Sequence, residues 1–231
     1  MRKYLLHVLI ISIFSLVLLT CPFVSAQSHQ LADEYYNKAN ELGKQEKYLE
    51  AAEMYNRSAE AEKASSSPRM SNLAAELNQV GYYYYLVGQY DNAIRNYEES
   101  LATVRKLWQE SGVAIRLNNI GNVYYKWGQY DKAIKYYEEA LVINKRLGIE
   151  DQVADNLHNI GVVYYRWEQH DKALKYYEEV LVINKKLGME GQVALTLNNI
   201  GAVYYRWEQH DKALKYYEEA LVINKRLGIE D

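Results

Sequence analysis

The chain has 231 residues, 49% of them hydrophobic and 25% charged, which excludes a disordered polymer and points to an ordered protein. A formal charge of −3 and a pI near 6.0 supply no basic face, so nucleic acid is not an expected partner. Two prolines, and 24 tyrosines against 2 phenylalanines, predict long helices with aromatic packing of one dominant kind.

The first element is MRKYLLHVLIISIFSLVLLTCPFVSAQ. Arg2 and Lys3 precede an apolar run to Leu19, and Val24 and Ala26 place small residues at −3 and −1 of a cut before Gln27. This is the pattern of a secretory signal over 1–26, followed by an ordered region over 27–231. It predicts export to the periplasm, the cell envelope or the medium. His7, Ser12 and Ser15 interrupt the run, which is short for a membrane span, so cleavage is expected rather than anchoring. Membrane attachment is expected only if the segment stays uncleaved or Cys21, the single cysteine, is acylated. LLTC at 18–21 resembles a bacterial lipoprotein box, although Thr20 stands where Gly, Ala or Ser is usual. The alternative is a cysteine discarded with the signal. In either case the mature chain has no disulfide and must be held by packing.

Beyond the leader the chain repeats itself. Gly81, Gly121, Gly161 and Gly201 fall into one register, and 161–179 differs from 201–219 only in Val162 against Ala202. Self-similarity at a fixed period predicts a repeat array, here in blocks of about 32–73, 74–113, 114–153, 154–193 and 194–231. In the third block Leu117, Ile120, Gly121 and Tyr124 share one helical face, and Ala133, Tyr137, Ala140 and Leu141 share a second. Gly128-Gln129 is the turn between them. Asp131 opens the second helix, where a negative charge suits the helix dipole, and Gly148 ends it. A lone hairpin cannot bury both stripes, but stacked hairpins bury them against each other.

Two places depart from this regularity. Ser65-Ser66-Ser67-Pro68 reads as a loop with Ser67 as helix cap and Pro68 at the first helical position. The turn glycines Gly88 and Gly128 become Glu168 and Glu208. If the backbone there stays left-handed, each substitution costs about 1 kcal/mol, so the turn rearranges or the packed array carries the cost.

Leu117, Gly121, Tyr124, Ala133, Tyr137 and Ala140 resemble the signature positions of the tetratricopeptide repeat. Leu77, Gly81, Tyr84, Ala93 and Tyr97 repeat the pattern with Ser100 last. Leu157, Gly161, Tyr164, Ala173 and Tyr177 do so with Val180 last, and Leu197, Gly201, Tyr204, Ala213, Tyr217 and Ala220 complete it. Tyr35, Ala39, Leu42, Ala51 and Tyr55 form a degenerate first copy. The period is longer than the family's usual one, and Lys145 stands where a proline is expected. The longer period is similar to that of Pins-type adaptors and, less closely, kinesin light chains. The resemblance implies an all-α fold: a right-handed superhelical solenoid of about five stacked helix-turn-helix repeats, with first helices lining a concave binding surface.

On that resemblance the inner positions are Asn118, Asn122, Tyr125 and Lys126, then His158, Val162, Tyr165 and Arg166, then Asn198, Ala202, Tyr205 and Arg206. Their spacing of i, i+4, i+7, i+8 places each set on one helix face. Asparagine amides pair with the backbone of an extended peptide, and a basic rank meets carboxylates. The alternative is that these residues only solvate the groove and satisfy their neighbours. The two-carboxylate clamp of chaperone-binding relatives is not reproduced, so chaperone tails are not the expected ligand.

Other conspicuous side chains receive structural readings. Trp127, Trp167 and Trp207 are expected to pack between repeats. His170 and His210 hold the place of Tyr90 and Tyr130, so packing near the turn accounts for them better than metal or catalysis. Glu138-Glu139 and Glu178-Glu179, beside Lys135 and Lys175, read as a solvated face. With no phosphate-binding loop, HExxH or cysteine–histidine spacing, no catalytic residue, metal or cofactor is expected. In the last block Ala213, Leu214, Tyr217 and Leu221 are expected to stand partly uncovered. The functional expectation is an exported, non-enzymatic scaffold that holds a peptide or protein segment in its groove. The alternatives are the sensory region of a larger envelope signalling protein, such as a histidine kinase, or a self-assembling spacer stacking through its last repeat.

Overall fold

A computed structural model describes residues 25–229. The signal and lipoprotein readings of residues 1–24, Cys21 included, lie outside the described residues. Every regular element among the described residues is an α-helix. The first compact unit, ending at Gln109, contains α1 (25–44), α2 (Tyr48–Ala64), α3 (Met70–Leu86) and α4 (Tyr90–Lys106). The second, from Glu110, contains α5 (Glu110–Lys126), α6 (Tyr130–Leu147), α7 (Glu150–Arg166), α8 (His170–Lys186), α9 (Glu190–Arg206) and α10 (His210–Leu227). Within each unit, helices that follow one another in the chain pack against one another, which is the expected all-α architecture of helix pairs. The helices begin at Glu110, Glu150 and Glu190, four residues before the block edges at 114, 154 and 194.

The packing follows the two stripes. Leu117, Ile120, Gly121 and Val123 are buried along α5, and Ala133, Ile134, Tyr137, Ala140 and Leu141 along α6. The far side of α6 then meets the next hairpin: Ala133, Ile134, Tyr137 and Leu141 share a cluster with Val153, Leu157, Ile160 and Val163 of α7. α6 and α8 are thus each covered from two sides, which is why their stripes are wider than a lone hairpin can bury. The last helix shows the difference. Leu214 is 58% exposed where its counterpart Leu174 is 7% exposed, and Tyr217 and Leu221 are half-buried. Ala213, expected uncovered, is buried at 2%, because its position on the hairpin faces inward to α9 rather than outward.

The turns keep one geometry whatever residue occupies them. Gly128 has φ 76°, and Glu168 and Glu208 have φ 59° and 58°. Gln129, Gln169 and Gln209 donate their backbone N–H to the carbonyls of Tyr124, Tyr164 and Tyr204, each at 2.9 Å. This is the Schellman closure of a helix end. The glutamates have not rearranged the turn, so the array carries their left-handed strain. Gly148 ends α6 in the same left-handed region, at φ 69°.

At the joint between α2 and α3 the expected cap is not the one formed. The helix starts at Met70 with Arg69 at its N-cap, and Ser67 instead places its hydroxyl 2.9 Å from that of Ser25. The physical reason is Glu62, whose side chain is fully buried. Its carboxylate accepts from the backbone N–H of Arg69 at 3.0 Å and from Arg69 Nε at 2.6 Å, while the same guanidinium reaches Asp33 of α1 at 2.8 Å. One arginine therefore closes the entry to α3 and ties three helices together.

The residues that lengthen the period also have work in the second unit. Arg146, Lys186 and Arg226, at the ends of second helices, pair with Glu110, Glu150 and Glu190 at the starts of their own first helices, at 2.9, 2.5 and 2.9 Å. These pairs are solvent-exposed, and each is worth under about 1 kcal/mol.

Candidate functional site

In the second unit α5, α7 and α9 present one face, and the expected residues lie along it. Asn156 Nδ2 and Asn159 Nδ2 on α7 both donate to Asn118 Oδ1 on α5 at 3.1 Å. Further along the same helices, the Arg166 guanidinium reaches the Tyr125 hydroxyl, and Arg206 lies 5.8 Å from the Tyr165 ring centroid. Each arginine reaches back to the tyrosine of the preceding repeat, Arg166 to its hydroxyl and Arg206 to its ring. Tyr125 and Tyr165 are half-buried, whereas Lys126, Arg166, Arg206 and Tyr205 are exposed. The spacing of i+7 and i+8 produces this arrangement, because it leaves the tyrosine on the flank and the cation at the rim. The Arg206 guanidinium on the Tyr165 ring keeps outward N–H donors, which suit carboxylates and backbone carbonyls.

The asparagines are less free than expected. Asn118 Oδ1 is taken by the two amides of α7, and Asn122 Oδ1 accepts from the Tyr137 hydroxyl at 2.7 Å. Asn118 Oδ1 thus has both lone pairs engaged and Asn122 Oδ1 one of its two. His158 turns its ring towards Tyr177, with centroids 5.7 Å apart, and burial pushes its pKa below the ordinary imidazole value. Asn198 is half-buried. The structure thus brings Asn118, Tyr125, Tyr165, Arg166 and Arg206 into direct contacts across repeats. It places Asn122 and His158 against the tyrosines of their own hairpins.

Sequence reasoning missed Asn144, Asn156 and Asn159. Asn144 is 4% exposed and donates to Asn156 Oδ1 at 2.7 Å, extending the amide network from α6 to α5. Their signal was present: a polar residue recurring inside an apolar stripe. It needed the pairing of residues from different repeats to be interpretable.

Trp167 and Trp207 do pack between repeats, but at the surface. Trp167 lies 5.9 Å from Tyr130 of the preceding repeat and Trp207 lies 5.9 Å from His170. Each stacks on the tyrosine three residues earlier, yet Trp127, Trp167 and Trp207 remain 36–42% exposed. His170 is accounted for by that packing, and His210 by its contact with Tyr205 at 5.3 Å. Glu138, Glu139, Glu178 and Glu179 are exposed. No group of three metal-ligating side chains occurs among the described residues, and no helix there is long and apolar enough to cross a membrane.

A family model described as tetratricopeptide repeat matches residues 72–146, 112–186 and 152–226. A search of the curated proteins by sequence finds no match. Among solved structures, the chain is similar to BtubC (BKLC) from P. vanneervenii, with TM-score 0.73 and 22% identity over 91% of this chain and 93% of that one. It is similar to a kinesin light chain homologue with nearly identical repeats from Podosopora anserina, with TM-score 0.73 and 15% identity over 88% and 98% of the two chains. It is also similar to the Rap conjugation gene regulator of plasmid pLS20, solved in complex with a Phr peptide, with TM-score 0.64 and 17% identity. That match covers 84% of this chain and 53% of the regulator, so the chain spans about half the regulator's length.

Proposed function

Because this chain belongs to the tetratricopeptide-repeat family, we propose that the face made by α5, α7 and α9 binds a peptide or protein segment and that the protein acts as an exported, non-enzymatic scaffold. The observation that carries this reading is the pair of cross-repeat contacts in which Arg166 meets the Tyr125 hydroxyl and Arg206 lies over the Tyr165 ring. It offers cations at one-repeat intervals with amide donors from Asn118 and Asn122 beside them. Acidic side chains or a terminal carboxylate on an extended segment meet such a rank. The Rap regulator, which shares the fold, is solved with a peptide, and that supports a peptide as the kind of partner. Export rests on the leader sequence and contributes the compartment in which the partner is sought.

The test is charge reversal at Lys126, Arg166 and Arg206 together. Wild-type protein immobilised in an envelope extract captures a partner, and the triple variant binds the isolated partner at least tenfold more weakly with unchanged helical circular dichroism. Equal affinity would show that the face is not the binding surface.

A further inference from the structure

α10 repeats the sequence of α6 with two changes, His210 for Tyr130 and Leu214 for Ile134. The two helices nevertheless stand in different surroundings. α6 packs on α5 of its own hairpin and on α7 of the next, whereas α10 packs on α9 of its own hairpin. The consequence falls on one helical face, at 214, 217, 221 and 224. Ile134 is 7% exposed and Leu214 58%; Tyr137 is 2% exposed and Tyr217 is half-buried; Asn144 is 4% exposed and Asn224 is half-buried. α8, which packs on α9 as α6 does on α7, agrees with α6: Leu174, Tyr177 and Asn184 are all buried.

The chain itself shows what covers such a face. At α6, Val153, Leu157, Ile160 and Val163 of α7 join Ile134, Tyr137 and Leu141 in one cluster, and Asn144 donates to Asn156 Oδ1 at 2.7 Å. At α8, Ile200 and Val203 of α9 join Leu174 and Tyr177, and Leu181 packs with Val193 and Leu197. Both covering helices read Val-Ala-x-x-Leu-x-x-Ile-x-x-Val, from Val153 and from Val193, with Asn156 or Thr196 just before the leucine. The occupant is thereby specified in kind. It is an amphipathic helix with that apolar stripe and one side-chain oxygen beside its central leucine.

A second copy of this chain offers no such helix. Its α3, α5, α7 and α9 are already packed between their own neighbours. Its α1 has the same register, with Tyr35 at the place of Leu157, but it carries Lys38 and Glu41 where α7 has Ile160 and Val163, and both are exposed. A polar face of this kind closes one end of a repeat array. Seating it on Leu214 and Tyr217 would strip water from two charges and give them no partner.

We propose that the uncovered face of α10 docks an amphipathic helix of a different polypeptide, one that carries the stripe of α7. Leu214 and Tyr217 receive its isoleucine and last valine, Leu221 receives its leucine, and Asn224 donates to the side-chain oxygen beside that leucine. This surface is separate from the α5–α7–α9 face, so one chain can hold a segment on that face and a helix on α10 together.

The experiment uses a probe of known sequence. A synthetic peptide with the sequence of residues 149–167 is titrated into the ¹⁵N-labelled full chain, beside a control peptide carrying Leu157→Ser, Ile160→Ser and Val163→Ser. The expected result is saturable shifts of the Leu214, Tyr217, Leu221 and Asn224 amides, at least tenfold weaker with the control. Leu214→Glu in the chain, at a side chain already exposed, keeps the helical circular dichroism and weakens binding at least tenfold. Asn224→Ala removes the advantage of the peptide over its Asn156→Val form. Equal binding of the control, shifts along α6 or α8 instead of α10, unchanged binding by Leu214→Glu, or an advantage that survives Asn224→Ala would each overturn the proposal. Sedimentation equilibrium of the chain alone is expected to give the monomer mass; a dimer abolished by Leu214→Glu would assign the face to a second copy and overturn it. Charge reversal at Lys126, Arg166 and Arg206 is expected to leave peptide binding unchanged, so this reading and that of the α5–α7–α9 face fail separately.

Discussion

A β-carbon on Gly161 would lie 2.8 Å from Cε1 of Tyr177, closer than packed side chains tolerate. Gly121 with Tyr137 and Gly201 with Tyr217 repeat the relationship at 2.6 and 2.7 Å. In each hairpin the first helix is notched so that the ring of the second can lie against its backbone. Tyr177 is 2% exposed and has nowhere to move, so Gly161→Ala is expected to destabilise its hairpin by about 1–3 kcal/mol. Tyr217 is half-buried and can give way, so Gly201→Ala costs less. Hydrogen exchange resolves this hairpin by hairpin: protection falls across α7 and α8 in the first variant and by a smaller amount across α9 and α10 in the second. Equal losses would contradict the argument.

The strained turns predict a gain. Glu168 and Glu208 keep left-handed backbones at φ 59° and 58°, and at the equivalent glycines Gly88 and Gly128 an added β-carbon meets nothing within 4 Å. The cost is thus conformational rather than steric crowding. Glu168→Gly and Glu208→Gly are each expected to stabilise by about 1 kcal/mol, and Gly128→Glu to destabilise by a similar amount. Thermal melting of the three variants, with opposite signs for the two directions, checks this.

Glu76 predicts a pH dependence. Its side chain is 3% exposed, and Ser58 lies 2.7 Å both from Glu76 Oε1 and from the Ala32 carbonyl. Ser58 has a single proton. If it goes to the carbonyl, as that of Ser100 goes to Ala74 in the next repeat, a protonated Glu76 donates to Ser58. Burial is the main cause that pushes the Glu76 pKa up from its ordinary 4.5 to about 7, opposed by the Ser58 hydrogen bond. A carboxyl whose folded pKa is raised favours the fold below about 4.5 and loses that contribution as pH climbs through 7. Glu76→Gln, which keeps a donor, is therefore expected to be more stable than wild type at pH 8, by on the order of 3 kcal/mol, with the difference vanishing by pH 4. Melting temperatures that run parallel across that range would refute it.

Arg69 carries the opposite lesson. Removing it leaves Glu62 buried with its main cationic partner gone, which costs about 3–5 kcal/mol. Arg69→Met is expected to lower protection throughout α1, α2 and the start of α3. Adding Glu62→Leu to that variant recovers most of the loss, because two apolar groups replace an uncompensated charge. A double variant as unstable as the single one would locate the effect elsewhere.

Much of the fold was legible residue by residue. Gly161 and Tyr177 recur in register with their sisters because each pair is a self-contained steric fit, and such fits repeat when the sequence repeats. Gly148 announced a helix end because a left-handed backbone suits glycine. The entry to α3 was misread because Ser67 has the local features of a cap, while the group that takes the role, Glu62, acts through its buried position beside Arg69. The resemblance makes Asn118 and Asn122 ligand-binding amides, but Asn118 Oδ1 is engaged by two amides of α7 and Asn122 Oδ1 accepts from Tyr137.

By itself, then, the sequence determined the helices and their pairing, because these follow from periodicity within one hairpin. Only the tertiary structure decided which side chains meet across repeats: Arg166 at the Tyr125 hydroxyl, Arg206 over the Tyr165 ring, and the amide network at Asn118. Those outcomes depend on the reach of side chains from different repeats, which a pattern read within one hairpin does not contain.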